Sequence, residues 1–589
     1  MCRMIPDEKK PIPWGLPPLR SEVIARQRAQ QQLPSAEASG AVQTTSMPKE
    51  HHYVHNELDG YMPLSDKSSN SNNNNSNSNS NSRCRQRTDF MSLRKRIAVL
   101  LGGMALLTGA LFVAYRCTCD PNVINPAMFS ATTRDVSADT LDSVQRLLGF
   151  GFDENNTVAW DRLAEMTDLY GHRMTASKAY DRSAEWVVHM AGKHDGLHAH
   201  TEPVVVNEWR RGKESLQLLV PSRPGGKVEL AVLGLGNSVA TPESGLEADV
   251  VPVHSFEELE QLGSAGVAGK VVLFNFPYTG YSSAGKFRSR GAQMAEKHGA
   301  VAVLVRTLAP DTSFYSVHTG SSMRAAIPAA SISLADANLI ERMYRRARLG
   351  QSPDHVWPRV RLSMHSRLKE NAKQSANVII ELKGSEAPEQ IVLLSGHFDS
   401  WDVGVGAMDD GAGAFLAWEA TRLVSLLPRA PKRTIRVVMW NNEETLQRGA
   451  KAYYSRHRAE IGSHVFALES DIGVFDPWGL AVAADKKLVR TLTDYGADLL
   501  KVLGAGNVTS SKTEEPGEDI AILCQSGVPC AGFLSVSPEN SVAPGQPGWE
   551  THYFRHHHAP SDRVEVIDKH QLRRSAAALA AWAYLIAEL

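Results

Sequence analysis

The chain has 589 residues, with 63 Lys and Arg against 64 Asp and Glu, a formal net charge of -1 and 42% hydrophobic residues. At roughly 150 residues per domain, this length predicts two to four domains, one of which could bury a large core. The composition excludes a collagen, a wholly disordered chain and a small disulfide-rich scaffold. We expect no nucleic-acid partner, because nucleic-acid binders usually carry a basic excess.

The first 96 residues lack apolar periodicity. All residues from Ser68 to Ser82 are Ser or Asn, and the segment before them is rich in Gln, Pro and charge. Such a segment cannot offset its ordering entropy, which predicts a disordered tail over residues 1–96. The tail histidines are interpreted as solvated side chains rather than ligands: His51, His52 and His55.

Residues 97–115 form an uncharged apolar run, IAVLLGGMALLTGALFVAY. As a helix rising about 1.5 Å per residue, the run is long enough to cross a membrane. The basic residues lie mainly before it, at Arg83, Arg85, Arg87, Arg94, Lys95 and Arg96, with Arg116 after it. This asymmetry predicts a signal anchor in a single-pass type II protein with a cytoplasmic tail. A buried core helix is the competing interpretation.

A second interpretation of this region begins at Met91. MSLRKR followed by the apolar run is similar to a signal peptide, so translation from Met91 or later cleavage would give a secreted or lysosomal protein. Both interpretations place the chain beyond a linker at 116–137 in the secretory pathway. Asn155 and Asn507 begin glycosylation sequons, which are usable only there.

Two of the six cysteines, Cys524 and Cys530, lie in the large downstream region. In an oxidising lumen they could close a small loop as a disulfide, and two buried thiols are the alternative. A zinc module with four cysteine ligands is excluded for that region.

Apolar periodicity divides the downstream region. Helical spacing in Val158–Met190 predicts helices within a first part of the main domain at 138–205. Strand-like runs around GAQMAEKHGA predict a separate α/β module at 206–371, without chemistry of its own. The remainder, 372–589, is expected to be the principal domain. It closes with a helix, Gln571–Leu589, whose apolar face is expected to lie in the core.

Three apolar strand-like runs of the principal domain each end in residues that can bind a metal. Ile391–Leu394 leads to His397 and Asp399, Ile435–Trp440 leads to Glu443 and Glu444, and Val465–Leu468 leads to Glu469 and Asp471. Since ligand sites of open α/β sheets lie at the carboxyl ends of the strands, these residues are predicted to meet in one crevice. One such acid alone would be explained as an exposed loop residue, but three strand ends of this kind favour a site.

Two further segments supply donors. Asp409 and Asp410 are adjacent in a Gly-rich turn before a predicted helix, where their charges repel unless a cation neutralises them. A histidine-rich segment follows far downstream, with His556, His557, His558 and then Asp562. Imidazoles and carboxylates without a thiolate favour zinc, and the excess of carboxylates favours two zinc ions that share a bridging ligand.

The quoted motifs show a family resemblance. GHFDSWDVGVGAMDDGAGAF, the pair Glu443-Glu444 after a strand, ESDIG, and the acid four residues beyond His558 resemble the carboxypeptidase Q group of the co-catalytic di-zinc aminopeptidase and carboxypeptidase family. The resemblance covers residues 140–589, and the inserted module is similar to a protease-associated domain. It implies an α/β zinc exopeptidase fold, with a mixed, mainly parallel sheet covered by helices on both faces.

The resemblance also implies a role for each candidate residue. His397 and Asp471 would bind one zinc ion, Glu444 and His558 the other, Asp409 would bridge both, and Glu443 would be the general base. Asp399 would fix the imidazole of His397, Asp410 would be joined to Asp409 by a cis peptide bond, and Asp562 would support the ligands. On the residues alone, His556 and His557 stay open as alternatives to His558.

The implied activity is hydrolysis of small unblocked peptides, most simply dipeptides, by a homodimer. Asp519 is expected to pair with the substrate α-amine, and a solvated loop acid is the alternative. Residues 445–449 depart from the glycine-rich stretch of the family, which leaves the shape of the pocket open. An aminopeptidase and a receptor-like binding protein on the same fold are the competing functions, and the complete ligand set favours catalysis.

Overall fold

The computed structural model describes residues 136–310, 313–351, 356–512, 516–538, 541–546 and 548–589. The predicted tail, the predicted anchor at 97–115 and nearly all of the predicted linker lie outside these residues. Within the described ranges, no helix combines the length and the apolar character that a membrane crossing requires.

The strands and helices alternate along most of the described chain. The strands are β1 (Leu197–Arg210), β2 (Glu214–Leu219), β3 (Lys227–Leu230), β4 (Val232–Gly234), β5 (Leu246–Val253), β6 (Val271–Phe274), β7 (Ala302–Arg306), β8 (Ala329–Ile332), β9 (Arg359–Met364), β10 (Arg367–Leu382), β11 (Ala387–His397), β12 (Arg433–Trp440), β13 (His464–Glu469), β14 (Asp476–Ala483), β15 (Asn507–Ser510) and β16 (Cys530–Val536). The α-helices are α1 (Ala138–Phe150), α2 (Val158–Tyr170), α3 (Lys178–Ala191), α4 (Phe256–Val267), α5 (Tyr281–Glu296), α6 (Leu334–Arg348), α7 (Ala412–Ser425), α8 (Glu443–Leu446), α9 (Arg448–Arg456), α10 (Lys486–Tyr495), α11 (Ala521–Gln525), α12 (Thr551–His556) and α13 (Lys569–Glu588).

The first of two eight-stranded sheets has the order β1-β10-β12-β11-β13-β16-β14-β15. Its central strands β12, β11, β13 and β16 run parallel, and β1, β10 and β14 pair antiparallel with their neighbours toward the edges, where β15 lies parallel to β14. The sequence correctly predicts a mixed α/β fold.

Helices cover both faces of this sheet. Successive side chains of β11 point to opposite faces and therefore pack into two different hydrophobic clusters. Val392 and Leu394 pack into a cluster with α7 and α13, whereas Ile391 and Leu393 pack with α9 and α11. Each fully buried Leu or Val contributes about 1.5–3 kcal/mol. Such continuous burial on both faces is typical of a parallel sheet and explains the uninterrupted apolar run.

The closing helix α13 is a core element. The carboxylate of Asp568 caps it by accepting the backbone N–H groups of His570 and Gln571. The apolar face predicted from the sequence is buried: Leu572, Ala576, Leu579, Trp582, Leu585 and Ile586. The helix packs against α7 and α1, which confirms the prediction that this face belongs to the core.

The second sheet is formed between residues 214 and 364 and has the order β3-β2-β9-β5-β6-β7-β8-β4. The predicted strand-helix-strand unit around GAQMAEKHGA is β6, α5 and β7, and β6 and β7 pair in parallel. The paired strands β1 and β10 belong to the first sheet and lead into and out of this module. The exact boundaries at 206 and 371 stay a prediction.

Two features of the described residues concern the secretory pathway. Cys524 of α11 and Cys530 of β16 form a disulfide, the first of the two alternatives left open by the sequence. The side chains of Asn155 and Asn507 are exposed, so both sequons have the surface position that glycosylation requires.

Candidate metal centre

The carboxyl ends of three central strands bring the candidate ligands together. His397 is the last residue of β11 and pairs with Trp440, the last residue of β12. On the other side of β11, β13 ends at Glu469. Because neighbouring parallel strands end at the same edge of the sheet, Glu443 and Asp471, which follow β12 and β13, line one cleft with His397.

Asp409 lies in the middle of the cluster. Its Oδ1 is 3.2 Å from Nε2 of His397, and its Oδ2 is 3.1 Å from Nε2 of His558. Nε2 of His397 is also 3.3 Å from Oδ1 of Asp471, and Nε2 of His558 is 2.8 Å from Oε2 of Glu444. Each histidine therefore faces one carboxylate of its own and one oxygen of the shared Asp409.

The described residues offer two neighbouring groups of donors that could hold a metal ion. Among the described residues, ligand atoms within 4.8 Å of one another come from His397, Asp409 and Asp471 in one group, and from Asp409, His557 and His558 in another. The Oε1 atom of Glu444 is buried without a hydrogen-bond partner, which leaves a carboxylate oxygen for a cation. Nitrogen and oxygen donors without a thiolate match the preference of zinc.

The structure separates the three neighbouring histidines. Nε2 of His557 is 3.6 Å from Asp409 Oδ2, farther than that of His558, and its ring stacks on His558 at 3.5 Å between centroids. Nδ1 of His556 lies 3.1 Å from the hydroxyl oxygen of Ser561, outside the residues that line the cleft. His558 thus combines the shorter distance to Asp409 with the contact to Glu444.

The acid after Asp409 turns away from the cleft. One carboxylate oxygen of Asp410 accepts the backbone N–H of His397 at 3.1 Å, and the other accepts that of Gly413 at 2.9 Å. A Cβ at Gly413 would collide with this carboxylate, so the close approach requires glycine. Burial, with the nearby Asp471 charge, raises the pKa of Asp410. The Asp409-Asp410 peptide bond is cis.

Asp399 contacts His397 and Glu443 through different groups. Nδ1 of His397 is 2.9 Å from the backbone oxygen of Asp399 and 4.0 Å from its nearest carboxylate oxygen. The carboxylate instead accepts the backbone N–H of Glu443 at 3.1 Å and the hydroxyl of Thr175 at 2.9 Å. Asp399 therefore orients the imidazole through its main chain and holds Glu443 through its side chain.

Asp562 supports the segment that carries Asp409. Its carboxylate oxygens accept the backbone N–H groups of Met408 at 2.7 Å and of Asp409 at 3.2 Å. Burial, followed by the Asp409 charge, raises the pKa of Asp562 to about 7.

Two contacts around the candidate ligands were not predicted from the sequence. The hydroxyl of Tyr553 donates to Oδ1 of Asp409 at 2.9 Å, and the position of this tyrosine beside the histidine-rich segment was an available signal. The buried guanidinium of Arg173 donates to the backbone oxygens of Phe398, Val405 and Gly406 at 2.6–2.7 Å. No local pattern around Arg173 identifies this role, because its partners lie more than 200 residues away.

The cleft has a volume of about 440 Å³ and is lined by Glu518 but not by Asp519. Asp519 is 1% exposed, and its backbone N–H donates to Glu469 at 3.3 Å. Glu518 accepts a hydrogen bond from the side chain of Gln447 at 3.1 Å. The structure therefore places Glu518, and not Asp519, among the residues that line the cleft, and a contact between Asp519 and the substrate stays a prediction.

The inserted module also lines this cleft, through Tyr281, Ser282 and Arg288 of α5. Nη1 of Arg288 is 2.5 Å from the hydroxyl of Tyr281 and 3.3 Å from Nδ1 of His558. The inserted module therefore contributes side chains to this cleft.

Comparison with known proteins agrees with this geometry. Residues 377–583 match the model of peptidase family M28. The chain is 38% identical to carboxypeptidase Q of Bos taurus over 77% of this chain and 89% of the relative, and 34% identical to carboxypeptidase Q of Homo sapiens over 84% and 98%. The crystal structure of a peptidase M28 precursor from Shewanella amazonensis SB2B superposes with a TM-score of 0.66 at 28% identity, covering 76% of this chain and 97% of that one.

A sheet with histidines and carboxylates gathered at its carboxyl edge, in a chain with these relatives, defines a zinc metallopeptidase and hydrolase. The chain belongs to peptidase family M28 as a carboxypeptidase Q-like member. The receptor-like alternative is set aside.

Proposed function

We propose that the protein is a di-zinc exopeptidase that hydrolyses small peptides with a free amino terminus, most simply dipeptides. The observation that carries the proposal is the carboxylate of Asp409, whose two oxygens face the Nε2 atoms of His397 and His558. The relatives bear the name carboxypeptidase, which supports cleavage at a chain end.

In this proposal His397 and Asp471 would hold one zinc ion, His558 and Glu444 would hold the second, and Asp409 would be a ligand of both. Bound zinc supplies a Lewis acid that polarises the scissile carbonyl and lowers the pKa of water.

Glu443 is the general base of the proposed reaction. Its Oε2 lies 3.9 Å from Nε2 of His397, and its backbone N–H is held by Asp399. Burial is the main reason that the pKa of Glu443 is raised. The carboxylate accepts a proton from the attacking water and delivers it to the leaving amine.

Glu518 takes the role of pairing with the substrate α-ammonium. Its carboxylate lines the cleft and is held by Gln447. Glu518 is exposed, so an incoming ammonium group can reach its carboxylate. A small cleft with such an acid suits short peptides with a free amino terminus.

The test is hydrolysis by the purified full chain of a panel of free dipeptides, their N-acetyl forms and tetrapeptides, before and after chelation and zinc return. We expect zinc-dependent cleavage of the free dipeptides and at least tenfold slower cleavage of the N-acetyl forms, since an ion-paired hydrogen bond is worth about 1.5–3 kcal/mol. Equal or faster cleavage of tetrapeptides from the amino end would favour an aminopeptidase. Absence of any cleavage at full zinc occupancy would contradict the proposal.

We also propose that residues 136–589 lie in the lumen of the secretory pathway. The disulfide between Cys524 and Cys530 supports an oxidising compartment, and both sequon asparagines are exposed. Enzymatic removal of N-linked glycans should lower the apparent mass of the cellular protein, and Asn155→Gln with Asn507→Gln should abolish that shift. An unshifted wild-type protein would contradict this location.

A further inference from the structure

We propose that Arg288 binds the free α-carboxylate of the substrate, so that the inserted module selects peptides by their carboxyl end. The inference rests on the proposed function and deepens it by naming the group that the module recognises.

The charge of the cleft points to this role. Among the described residues that line the cleft, Arg288 is the one Lys or Arg side chain. The lining carboxylates are Asp409, Glu443, Glu444, Glu469, Asp471, Glu518 and Glu550. In the part of the chain that the structure describes, none of them forms an ion pair with Arg288, whose contacts are to Tyr281 and His558. Among the described residues, the guanidinium therefore has no carboxylate as an ion-pair partner.

The hydrogen bonds of the guanidinium are incomplete. Its Nε is buried without a partner, and within the described residues Nη2 donates to no acceptor. Nη1 donates to the hydroxyl of Tyr281 and lies 3.3 Å from Nδ1 of His558. When His558 holds a metal through Nε2, Nδ1 carries a hydrogen and cannot accept one. A carboxylate would satisfy neighbouring N–H groups of Arg288 in a two-pronged contact.

The position of Arg288 is built into the module. Gly320 has φ +133°, and a Cβ there would lie 2.6 Å from Cζ and 2.8 Å from Nε of Arg288, so the space for the guanidinium depends on this glycine. The ring of Tyr281 stacks on that of Phe554, with centroids 4.1 Å apart. This stacking fixes the Tyr281 hydroxyl, which accepts the hydrogen bond from Arg288. A preorganised cation loses little entropy on binding an anion.

The two charged groups, Arg288 and Glu518, line the same cleft as the candidate metal ligands. Arg288 contacts His558, whereas the Glu518 carboxyl feels the charge of Asp471. A dipeptide zwitterion could pair its carboxylate with Arg288 and its ammonium with Glu518, which would place the peptide bond beside Asp409 and Glu443. Such an arrangement would favour dipeptides over longer peptides.

The first test compares one dipeptide with its carboxyl-terminal amide as substrates of the zinc-loaded full chain. We expect Arg288→Gln to lower the kcat/KM ratio of acid over amide by roughly 10- to 100-fold, the worth of one charge-assisted contact. Arg288→Lys should keep part of the preference. Arg290→Gln is the matched control, because Arg290 is exposed on the same helix, and it should keep the wild-type ratio. An equal loss for both substrates would overturn the proposal in favour of a structural role.

The second test measures binding by calorimetry, with a dipeptide whose peptide carbonyl is reduced to CH₂ and with the amide of that compound. Wild-type protein should bind the acid at least tenfold more tightly, and Arg288→Gln should abolish the difference. Binding selectivity in wild-type protein that cleaves neither substrate would retain the Arg288 assignment and contradict the proposed activity. Cleavage of the dipeptide by wild-type protein that binds acid and amide equally would retain the proposed activity and contradict the Arg288 assignment.

Discussion

Nδ1 of His318 in the inserted module lies 2.7 Å from the backbone oxygen of His557, next to the candidate ligand His558. Burial, chiefly, lowers the pKa of His318 to about 3, so its ring is neutral and Nδ1–H can donate while Nε2 accepts from the hydroxyl of Ser316. The backbone N–H of Thr319 also donates to the oxygen of His558 at 2.9 Å. The module therefore fixes the main chain of the histidine segment.

Replacement of His318 by Phe keeps a ring but removes the donor to His557. Contacts of this kind behind metal ligands are typically worth about 10- to 100-fold in affinity or activity, so we expect weaker zinc binding by at least about tenfold. Competition with a zinc chelator measures the change. His365→Phe is the control, since His365 is an exposed residue of the module. Unchanged zinc affinity in a folded His318→Phe protein would refute the positioning role.

Replacement of Glu443 by Gln removes the proton acceptor and keeps the side-chain volume. We expect normal zinc content and a loss of about 10²–10⁴-fold in kcat, the contribution of a general base. Elemental analysis and dipeptide kinetics measure the two quantities. Glu389→Gln, an exposed change at the opposite end of β11, should keep both at wild-type values. Near-normal turnover of the Glu443→Gln protein would disprove the assignment.

Replacement of Asp409 by Asn halves the acceptor capacity of the carboxylate between His397 and His558. Because both proposed zinc positions depend on its charge, we expect zinc per chain to fall at both positions, together with activity. Mass spectrometry of the metal content reports this directly. The exposed Asp494→Asn change should leave the zinc content intact. Full occupancy in Asp409→Asn would contradict a bridging ligand.

His464, which lies outside the candidate metal centre, makes the free energy of unfolding depend on pH. Burial lowers its pKa, Nδ1 lies 3.0 Å from the backbone oxygen of Glu460, and the Tyr453 hydroxyl lies 2.8 Å from Nε2. Below about pH 6.5 the unfolded chain binds a proton that folded His464 does not, so this group lowers the free energy of unfolding as the pH falls, by at most about 1.4 kcal/mol per pH unit.

Urea unfolding at pH 7.5 and 5.5 checks that sign. The wild-type protein should lose more stability on acidification than His464→Gln, when the zinc content of both is equal. An identical pH dependence in the two proteins, or a larger one in the variant, would show that His464 does not contribute.

The sequence predicts that His397, Glu443 and Asp471 lie in one cleft, because the apolar runs before them are buried parallel strands that must end at one edge of a sheet. The contributions of Arg173 and Arg288 depend on contacts between segments far apart in the chain, for which local periodicity carries no information.

The choice between Glu518 and Asp519 shows a different limit. Neighbouring acids in a loop are equivalent in sequence, and the direction of the turn decides which one enters the cleft. Here the carboxylate of Glu469 accepts the backbone N–H of Asp519 and holds that residue inward, a tertiary contact that composition and spacing do not encode.

Zinc titration of the chelated full chain tests the central claim most directly. Activity toward a free dipeptide should be absent after complete chelation and should reach its maximum when two zinc ions are bound per chain, because His397 and His558 face different oxygens of Asp409. A maximum at one zinc ion per chain, or activity that survives complete removal of zinc, would contradict the di-zinc account.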